Sequence, residues 1–427
     1  DVGLVICDEF HERNIHSDLG LALVMETLEA LRDDLRVLVM SATMDTEKVS
    51  QLLGNAPVVE SRGKSYPVET VYLPQVDRQN RKVFVETACA TAVQKALNET
   101  DGEFGGDILV FLPGVGEIMR LKTRLEERQI PGIHIIPLYG NLPVKEQRRI
   151  FAKPGKGVRT VIIATAIAET SITIDGIRTV IDAGLSRTLE FSPQTGMSRL
   201  VTIPVAKASA DQRRGRAGRT GPGVCYRLWS KYDHSLLKPY AVPEILSTDL
   251  ASLVLELAAW GVKDPGDLKW MDPPQKGPVD QAKALLRGLG ALGKEGGLTV
   301  HGKEMVNTGL HPRLAHMVLT AKSKGKGPLG CRLAALLMER DIVRFDRGEG
   351  DPDIRLRLEL IERKIIEKAA GRRAGSYHSG VNKKLIRRLL ESEKRIAKDF
   401  GINKGRIDLH DAGELLAHAY PDRIANK

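Results

Sequence analysis

The first ~230 residues alternate short apolar runs with amphipathic segments, and this alternation constrains the fold more than any other feature of the sequence. Buried strands of a parallel sheet have such continuous apolar runs, and the helical segments between them serve as the crossovers that parallel pairing requires. The predicted strands are residues 3–7, 37–40, 107–112, 133–137, 160–164, 179–181 and 224–228. We therefore predict an α/β fold with parallel sheets.

The rest of the chain, from about residue 232, has a helical pattern instead. One face of the helix predicted over residues 248–260 carries Leu250, Leu253, Val254 and Leu257. Ser247 is its predicted N-cap, and Gly261 is its predicted stop. Further helices are predicted at residues 280–288, 312–322, 330–340, 354–370 and 382–400.

A polar stretch with prolines, residues 57–74, separates the first two predicted strands from the others. It is interpreted as a linker between two α/β domains. Together with the helical region, this agrees with the about three domains that a length of 427 residues favours.

The composition is that of an ordinary soluble globular chain, at 42% hydrophobic and 28% charged residues. The sequence contains no run of ~20 apolar residues, which a membrane-spanning helix would require. The four cysteines are far apart, without CxxC spacing, which indicates neither a zinc site nor a disulfide framework and favours a reducing cytoplasm. The net charge of +10 fits a polyanionic partner and, equally, a solvated surface.

The chain begins at Asp1, directly before an apolar run at residues 4–7, and this start does not resemble a signal peptide. We expect that the sequence starts within a fold and that Lys427 is an arbitrary end.

Two adjacent carboxylates, Asp8 and Glu9, end the first predicted strand. The carboxyl end of a buried parallel strand lies at the sheet edge where ligands bind. Asp8 suits a Mg²⁺ ion held partly through water, and Glu9 suits the orientation and deprotonation of an attacking water. Alone, the pair also fits an ordinary strand end with solvated acids.

The sequence SAT at positions 41–43 ends the second predicted strand. The hydroxyl groups of Ser41 and Thr43, placed beside the acidic pair, would sense a γ-phosphate through hydrogen bonds. Serine and threonine are common at strand ends, so SAT by itself indicates little.

The sequence QRRGRAGR fills positions 212–219. Arg216 and Arg219 are three residues apart and therefore share a helical face, from which both guanidinium groups would neutralise one anion during phosphoryl transfer. Gln212 is placed to position the water. The alternative is a basic helix start that faces RNA without a catalytic role, but a sequence this long and specific favours catalysis.

Together, DEFH at positions 8–11, SAT, ATAIAETSITID at positions 164–175 and QRRGRAGR resemble motifs II, III, V and VI of superfamily 2 DEAH-box helicases. The phenylalanine in the acidic box and the sequence AYPDRIA at positions 419–425 are similar to the bacterial HrpB group. The resemblance covers nearly the whole chain. It implies an ATP-dependent RNA helicase with ATP in the cleft between two RecA-like domains.

The resemblance also implies how the chain is divided. Residues 1–64 would form part of the first RecA-like domain and residues 65–231 the second. Residues 232–297 would form a winged-helix-like domain, and residues 298–427 a helical, ratchet-like bundle with the start of a C-terminal region.

Roles for single residues follow from the same resemblance. It implies that Ser171 and Gln212 place the attacking water and that Asp175 faces the nucleotide sugar. Arg216 and Arg219 would contact the γ-phosphate.

His11 belongs to the resembled motif II and is therefore also expected to be a catalytic residue. The expected nucleotide contacts are Asp8, Glu9, Ser41, Thr43, Thr173, Asp175, Arg216 and Arg219. The implied cofactors are ATP, or another NTP, and Mg²⁺, with Asp8 as the metal ligand.

Family members carry a GxxxxGK[ST] loop upstream of the acidic box, and these 427 residues do not contain it. The sequence GKS at positions 63–65 is similar, but Val58 stands where the first glycine belongs, and the stretch follows SAT. It is interpreted as part of the family's interdomain segment. The lysine and the Mg²⁺-binding hydroxyl of the loop are thus expected to be missing here.

Two turns, at residues 110–114 and 138–143, follow buried strands. Backbone N–H groups in such turns grip phosphates, although a plain strand-to-helix turn has the same pattern. Gly114 and Asn141 match the family's motifs IV and IVa, and Thr165 matches a backbone contact of motif V. Contacts of this kind imply binding that is largely independent of base sequence.

Strand-like runs at residues 185–191 and 197–204 flank the turn sequence SPQTG and predict a hairpin. In the resembled family a hairpin at this place helps to part the duplex, whereas without the resemblance an extra pair of sheet strands explains the pattern. Aromatic residues are only 4% of the chain, so wide base-stacking platforms are not expected.

The sequence therefore predicts an NTP-dependent helicase or translocase that moves 3′ to 5′ on single-stranded or partly duplex RNA, with direction and substrate implied by the resemblance. A DNA translocase of the same superfamily and a non-catalytic RNA-binding scaffold are the alternatives. The scaffold alternative is disfavoured because the expected catalytic residues are intact, namely Asp8, Glu9, Gln212, Arg216 and Arg219. No membrane partner is expected.

We predict that residues 1–427 produced alone do not hydrolyse ATP, because no loop cradles the β- and γ-phosphates. They should bind single-stranded RNA weakly, with an affinity that falls steeply as salt rises. A phosphate-release assay with and without poly-RNA, run beside a version extended upstream, checks this. RNA-stimulated hydrolysis by residues 1–427 would show that the nucleotide site is misplaced.

Overall fold

The chain forms two units in the computed structural model. The α/β unit comprises Asp1–Thr248 and Leu268–Pro273, and the helical unit comprises Asp249–Asp267 and Pro274–Lys427. The structure describes residues 2–43, 45–61, 63, 65–74, 84–99, 105–140, 142–151, 155, 157–169, 172–192, 196–343, 351–369 and 381–424.

The strands of the described residues all belong to the α/β unit. They are β1 (Leu4–Cys7), β2 (Arg36–Val39), β3 (Val68–Tyr72), β4 (Asp107–Phe111), β5 (Ile133–Leu138), β6 (Arg159–Ala164), β7 (Ile177–Asp182), β8 (Leu185–Ser192), β9 (Met197–Pro204) and β10 (Gly223–Arg227). The predicted α/β class is confirmed, and each predicted strand is found to within two residues at either end.

Helices alternate with these strands along the chain. They are α1 (Ile15–Ala30), α2 (Thr46–Leu52), α3 (Val85–Glu99), α4 (Val115–Glu127), α5 (Val144–Gln147), α6 (Lys207–Gly215) and α7 (Lys231–Leu236). Polar side chains begin several of them. Asn14, for example, accepts the Ser17 N–H at 2.9 Å and so satisfies one of the unpaired donors of the first turn of α1.

Parallel pairing sets the positions of the loops that carry the motifs. β1 pairs with β2, and six further strands form a parallel sheet in the order β3-β10-β7-β4-β6-β5. The carboxyl ends of β4, β6 and β7 therefore lie side by side at one edge. The turns that follow them are brought together by pairing alone, although they are distant in sequence.

The six-stranded sheet is buried on both faces, which explains its continuous apolar strands. Ile108 and Val110 of β4 pack with α3 and α4. Leu109 and Phe111 point to the opposite face, where they pack with Ala217 among others. Successive side chains of a strand alternate between faces, so a strand with both faces covered has few positions for a solvated polar side chain.

The interpretation of residues 57–74 as a linker is wrong for their second half, because β3 lies within them. β3 is an edge strand that pairs only with β10. Its sequence, VETVY, is short, contains polar residues and lies between Pro67 and Pro74. Edge strands need less apolar surface than central ones, so the pattern that reveals central strands misses this one.

The predicted hairpin is present as the antiparallel pair β8–β9. Its turn, residues 193–195, lies outside the described residues. Leu189 and Leu200 are paired across the two strands, and both are exposed. Arg187 fastens the hairpin to α4 through an ion pair in which its Nη2 lies 2.9 Å from Oε1 of Glu117.

The helical unit consists of helices and irregular segments in its described part. The helices are α8 (Ala251–Trp260), α9 (Lys276–Gly288), α10 (Val300–Val306), α11 (Pro312–Ser323), α12 (Gly327–Met338), α13 (Ile354–Ala369), α14 (Lys383–Asp399) and α15 (Ala412–Ala419). The sequence pattern does not predict α10 and α15, since each spans about two turns and shows little periodicity. Among the described helices of the whole chain, none has the length and apolarity to cross a membrane.

The prediction of Ser247 as an N-cap is wrong. The Ser247 N–H is bonded to the carbonyl of Glu244 at 2.9 Å, within a preceding 3₁₀ turn. Helix α8 begins at Ala251, whose N–H is accepted by the Asp249 carboxylate at 2.8 Å. Gly261 does end the helix, at φ 101°, a left-handed conformation that glycine adopts without strain.

The core of the helical unit also contains a buried cation. Arg332 of α12 is 6% exposed and pairs with Glu393 of α14, with Nη2 lying 3.0 Å from Oε1, and with Glu362 of α13. Around it pack apolar residues of α11, α12, α14 and α15. The proposed domain boundaries near residues 64, 231 and 297 stay predictions.

Candidate active site

The acidic box lies at the carboxyl end of β1. Asp8 and Glu9 are exposed, and Oδ1 of Asp8 accepts the Glu9 N–H at 2.8 Å. Phe10, the next residue, is fully buried and anchors the turn in the core. Glu9 has φ 49°, an uncommon value for a residue other than glycine that costs of order 1–3 kcal/mol and is typical of functional sites.

His11 joins the acidic box to the SAT segment. Its Nδ1 lies 3.4 Å from Oε2 of Glu9 and 3.5 Å from the backbone nitrogen of Ala42. Both separations are long for hydrogen bonds, but they place the imidazole between the two motifs. The backbone reinforces the contact, since the Phe10 N–H donates to the carbonyl of Met40 at 3.1 Å.

Gln212 of α6 connects the arginine motif to the SAT segment. Its Nε2 donates to Oγ1 of Thr43 at 2.9 Å, across 169 residues of sequence. Motifs II, III and VI are therefore neighbours in the α/β unit. The water-positioning role of Gln212 stays a prediction.

Arg216 and Arg219 lie on the motif V side of the same region. Arg216 is 4% exposed and donates from Nη1 to the carbonyl of Ile172 at 2.8 Å. The Arg219 side chain is more exposed and donates from Nη1 to Oγ1 of Thr173 at 3.1 Å. The predicted pair of guanidinium groups is thus held by two adjacent residues of motif V.

The charge of Arg216 is incompletely compensated. Burial, together with the positive charge of Arg219, lowers the pKa of Arg216 to about 10, while the carboxylates of Glu169 and Glu9 act in the opposite direction. Its Nη2 is buried and has no hydrogen-bond partner among the residues that the structure describes. A buried cation with an unused N–H group, beside a second guanidinium, fits a polyphosphate anion.

The acidic side of the site fits a hydrated divalent cation. One oxygen of Asp8 is occupied by the Glu9 N–H, and its carboxylate group faces solvent. Mg²⁺ retains several water ligands and is typically held by one or two carboxylates plus substrate phosphates. The exposed Asp8 suits such a partial coordination sphere.

The other predicted nucleotide contacts have different surroundings. Ser41 is exposed at the end of β2, and Asp175 is exposed in the turn before β7. Ser171, the second predicted water-positioning residue, lies outside the described residues, as does Asn141 of the predicted RNA contacts.

Comparison with known proteins identifies the family. The model of the helicase conserved C-terminal domain matches residues 90–221. The ATP-dependent RNA helicase HrpB of Escherichia coli is 43% identical over 426 residues, which cover 100% of this chain and 48% of that protein. The crystal structure of the Escherichia coli DEAH/RHA helicase HrpB matches with a TM-score of 0.82 and 37% identity, over 99% of this chain and 49% of that one. This chain belongs to the HrpB-like DEAH-box helicases.

Similarity extends to other members of the group. The ATP-dependent RNA helicase HrpA homolog of Haemophilus influenzae is 35% identical over 328 residues, covering 75% of this chain and 24% of that protein. The chain spans about half the length of the HrpB relative that it matches and about a quarter of the HrpA homolog.

In this HrpB-like chain, the predicted RNA contacts that can be described lie at the sheet edge. Gly114 begins α4 after β4, and Thr165 follows β6, the strand paired with β4. The Thr165 N–H donates to the carbonyl of Leu138 at 3.2 Å. A Cβ atom at position 114 would lie 2.2 Å from Nη1 of Arg187, so the flexible end of that side chain would have to move.

Sequence reasoning missed Arg213 as a functional residue of this family member. It is three residues before Arg216, as Arg216 is before Arg219, but it points into the core and is 2% exposed. Its Nε donates to Oε1 of Glu169 at 2.6 Å, and its Nη1 donates to Oδ1 of Asp182 at 2.8 Å. The three-residue spacing was the available signal, because it groups all three arginines.

Arg213 thereby joins four segments of the α/β unit. Besides Glu169 of motif V and Asp182 of β7, it bonds the carbonyl of Leu185 at 3.2 Å, and its guanidinium lies 5.1 Å from the ring centroid of Phe111 at the end of β4. Burial by itself would lower the pKa of Arg213, but the carboxylates of Asp182 and Glu169 outweigh it and raise the pKa, so the side chain is charged at any physiological pH.

We predict that Arg213→Met destabilises the protein by about 3–5 kcal/mol, because it leaves two buried carboxylates without their cation. The urea midpoint of unfolding, followed by circular dichroism, measures the change. Arg214→Met is the matched control, because the Arg214 side chain is 43% exposed and forms a long ion pair, with its Nε 3.8 Å from Oδ1 of Asp211. It should cost about 0–1 kcal/mol. Equal midpoints for the two variants would contradict the role given to Arg213.

Proposed function

We propose that this chain carries catalytic residues and RNA contacts of an ATP-dependent helicase or translocase that moves 3′ to 5′ on RNA. The observation that supports the proposal is the hydrogen bond of Gln212 to Thr43, which connects the arginine motif to the SAT segment after β2. The relatives are named as ATP-dependent RNA helicases, which supports the substrate class.

In the proposed reaction, water attacks the γ-phosphorus of ATP and the bond to the bridging oxygen breaks. Glu9 accepts the proton of the water, and Gln212, with Ser171, holds the water in line. Arg216 and Arg219 neutralise the charge that develops on the phosphoryl oxygens. The unused N–H of Arg216 is the donor that this step requires.

The remaining contacts would hold the nucleotide. Asp8 would be a Mg²⁺ ligand, and the ion would supply charge neutralisation at the phosphates. Ser41 and Thr43 would report the presence of the γ-phosphate to the adjacent strand, while Thr173 and Asp175 would lie along the nucleotide. His11 would connect Glu9 to the SAT segment.

Movement along RNA would follow from closure and opening of the two RecA-like domains on each cycle. The predicted contacts Gly114, Asn141 and Thr165 would hold the phosphate backbone of the RNA. The β8–β9 hairpin, with its exposed pair Leu189 and Leu200, would act where the duplex parts. The helical unit would correspond to the family's winged-helix and ratchet regions.

The proposed location is the cytoplasm. All four cysteines are free thiols, and Cys89, Cys225 and Cys331 are buried. Burial raises the pKa of each of these three thiols, to about 12 for Cys225 and Cys331, which keeps them protonated and unreactive. This pattern is compatible with a reducing compartment.

We predict that Glu9→Gln in the full-length protein lowers ATP hydrolysis by about 10²–10⁴-fold while nucleotide binding is retained, because an amide cannot accept the proton of the water. Phosphate release and equilibrium binding of a fluorescent ATP analogue separate the two effects. Glu12→Gln, the same charge change three residues later, is the control and should leave turnover within about threefold of the parent, as expected for a group outside the chemistry. Near-normal turnover of Glu9→Gln would exclude Glu9 as the base.

A second prediction separates RNA from DNA translocation. Single-stranded RNA should stimulate ATP hydrolysis by the full-length protein at lower concentration than DNA of the same sequence, since 2′-hydroxyl contacts distinguish the two strands. Titration of each strand into the phosphate-release assay gives the two half-maximal concentrations. A lower value for DNA would replace the proposal with a DNA translocase of the same superfamily.

A further inference from the structure

A short segment of the chain leaves the helical unit and returns to the α/β unit. Residues 249–267 and 274–427 belong to the helical unit, but Leu268–Pro273 between them belongs to the α/β unit. We call Leu268–Pro273 the return segment. It is held by contacts that converge on the turn carrying the acidic box.

Three residues of the return segment anchor it. Asp272 pairs with Arg13, its Oδ2 lying 2.7 Å from Nη1, and with Lys48 of α2, its Oδ1 lying 2.8 Å from Nζ. Lys269 pairs with Glu29 of α1. Met271 packs against the apolar cluster that includes the buried Phe10.

Arg13 is the centre of this arrangement. It is 8% exposed, and it also holds Asp18 through Nε at 3.0 Å and Nη2 at 3.2 Å. Its carbonyl accepts the N–H of Glu244 at 3.1 Å, and the Glu244 carboxylate accepts the Ile15 N–H at 2.9 Å. Glu244 precedes the first residue of the helical unit by five positions. The chain is therefore bonded to Arg13 on both sides of residues 249–267, by Glu244 before them and by Asp272 after them.

The turn between Glu9 and Arg13 is short and internally bonded. The Glu12 N–H donates to the carbonyl of Glu9 at 3.0 Å, and the Arg13 N–H donates to that of Phe10 at 3.2 Å. Glu9 and Arg13, at its two ends, both have left-handed φ values, of 49° and 50°. Such a turn has little freedom to absorb a displacement, so a movement imposed at Arg13 is transmitted to Glu9.

Asp272 is ionised in this setting. Burial alone would raise the pKa of Asp272, but the hydrogen bonds from Lys48 and Arg13 outweigh it and hold the pKa below its usual value. The pair with Arg13 is therefore a bond between full charges in a partly buried place, where screening by salt is weak.

We propose that the Arg13–Asp272 pair is a tie that couples the helical unit to the acidic box, so that RNA held by the helical unit stimulates hydrolysis at Glu9. Arg13 and Asp272 are positioning residues and take no part in the chemistry. The inference rests on the proposed function and deepens it, since it assigns a regulatory input to the same site.

Asp272→Asn in the full-length protein tests the tie. It removes the charge that faces Arg13 but leaves the Arg13–Asp18 pair intact, whereas a change of Arg13 would strand the buried Asp18. We expect basal phosphate release without RNA to stay at the parent level and the stimulation by saturating single-stranded RNA to fall by at least about 5-fold, the lower end of the usual coupling between sites.

Two comparisons make the result specific. Asp267→Asn is the matched control, because Asp267 is five positions away, is exposed and forms no ion pair with any residue described in the structure. Thermal unfolding shows whether Asp272→Asn is folded at the assay temperature. If it is not, Lys269→Glu decides, since it opposes Glu29 at the surface, and Glu29→Lys combined with Lys269→Glu should restore the stimulation.

The outcomes separate the two proposals. Parent-level RNA stimulation in a folded Asp272→Asn protein, or in Lys269→Glu where that variant decides, overturns the tie and leaves the helicase proposal standing. A fall in stimulation with unchanged basal release, absent in Asp267→Asn, supports the tie. A parent protein without RNA-stimulated hydrolysis overturns the proposed function and the tie with it.

Discussion

The buried cation Arg213 is the interaction on which the catalytic edge of the α/β unit depends. Its two carboxylate partners come from motif V and from the end of β7, and its carbonyl partner begins the hairpin. Removing one partner would leave the others charged in an apolar sheet, which is far costlier than losing a surface pair. Helix α6, the end of β4 and the start of the hairpin are consequently fixed to one another through this side chain.

The fixed position of Arg213 also sets the direction of the neighbouring side chains of the same motif. Gln212 and Arg213 are neighbours in sequence, but the first bonds a hydroxyl and the second enters the core, while Arg216 keeps a buried N–H without a hydrogen-bond partner among the described residues. Because Arg213 is locked in the interior, the flanking side chains have a defined direction. The unused N–H of Arg216 is then preorganised for an anion, and such preorganisation is what electrostatic catalysis requires.

The acidic side of the site is organised by backbone strain together with a second buried cation, Arg13. The turn after β1 has left-handed residues at both ends, and the fully buried Phe10 lies between them. Contacts from the return segment and from Glu244 hold the far end of that turn at Arg13. The two halves of the site therefore depend on elements that lie far apart in the sequence.

The sequence by itself determined the α/β class, the strands of the central sheet, most helices of the second half and the identity of the motif residues. These follow from local patterns, namely continuous apolar runs, helical spacing and short signatures with a chemical purpose. The same patterns failed at β3, whose polar edge position needs few apolar residues, and at Ser247, because the helix begins later, at Ala251, with its first N–H bonded to Asp249. Only the tertiary structure decided which of three equally spaced arginines enters the core, that Thr43 meets Gln212, and that Asp272 returns to Arg13. Those choices are made by desolvation and by contacts between distant segments, and neither leaves a trace in the spacing of residues along the chain.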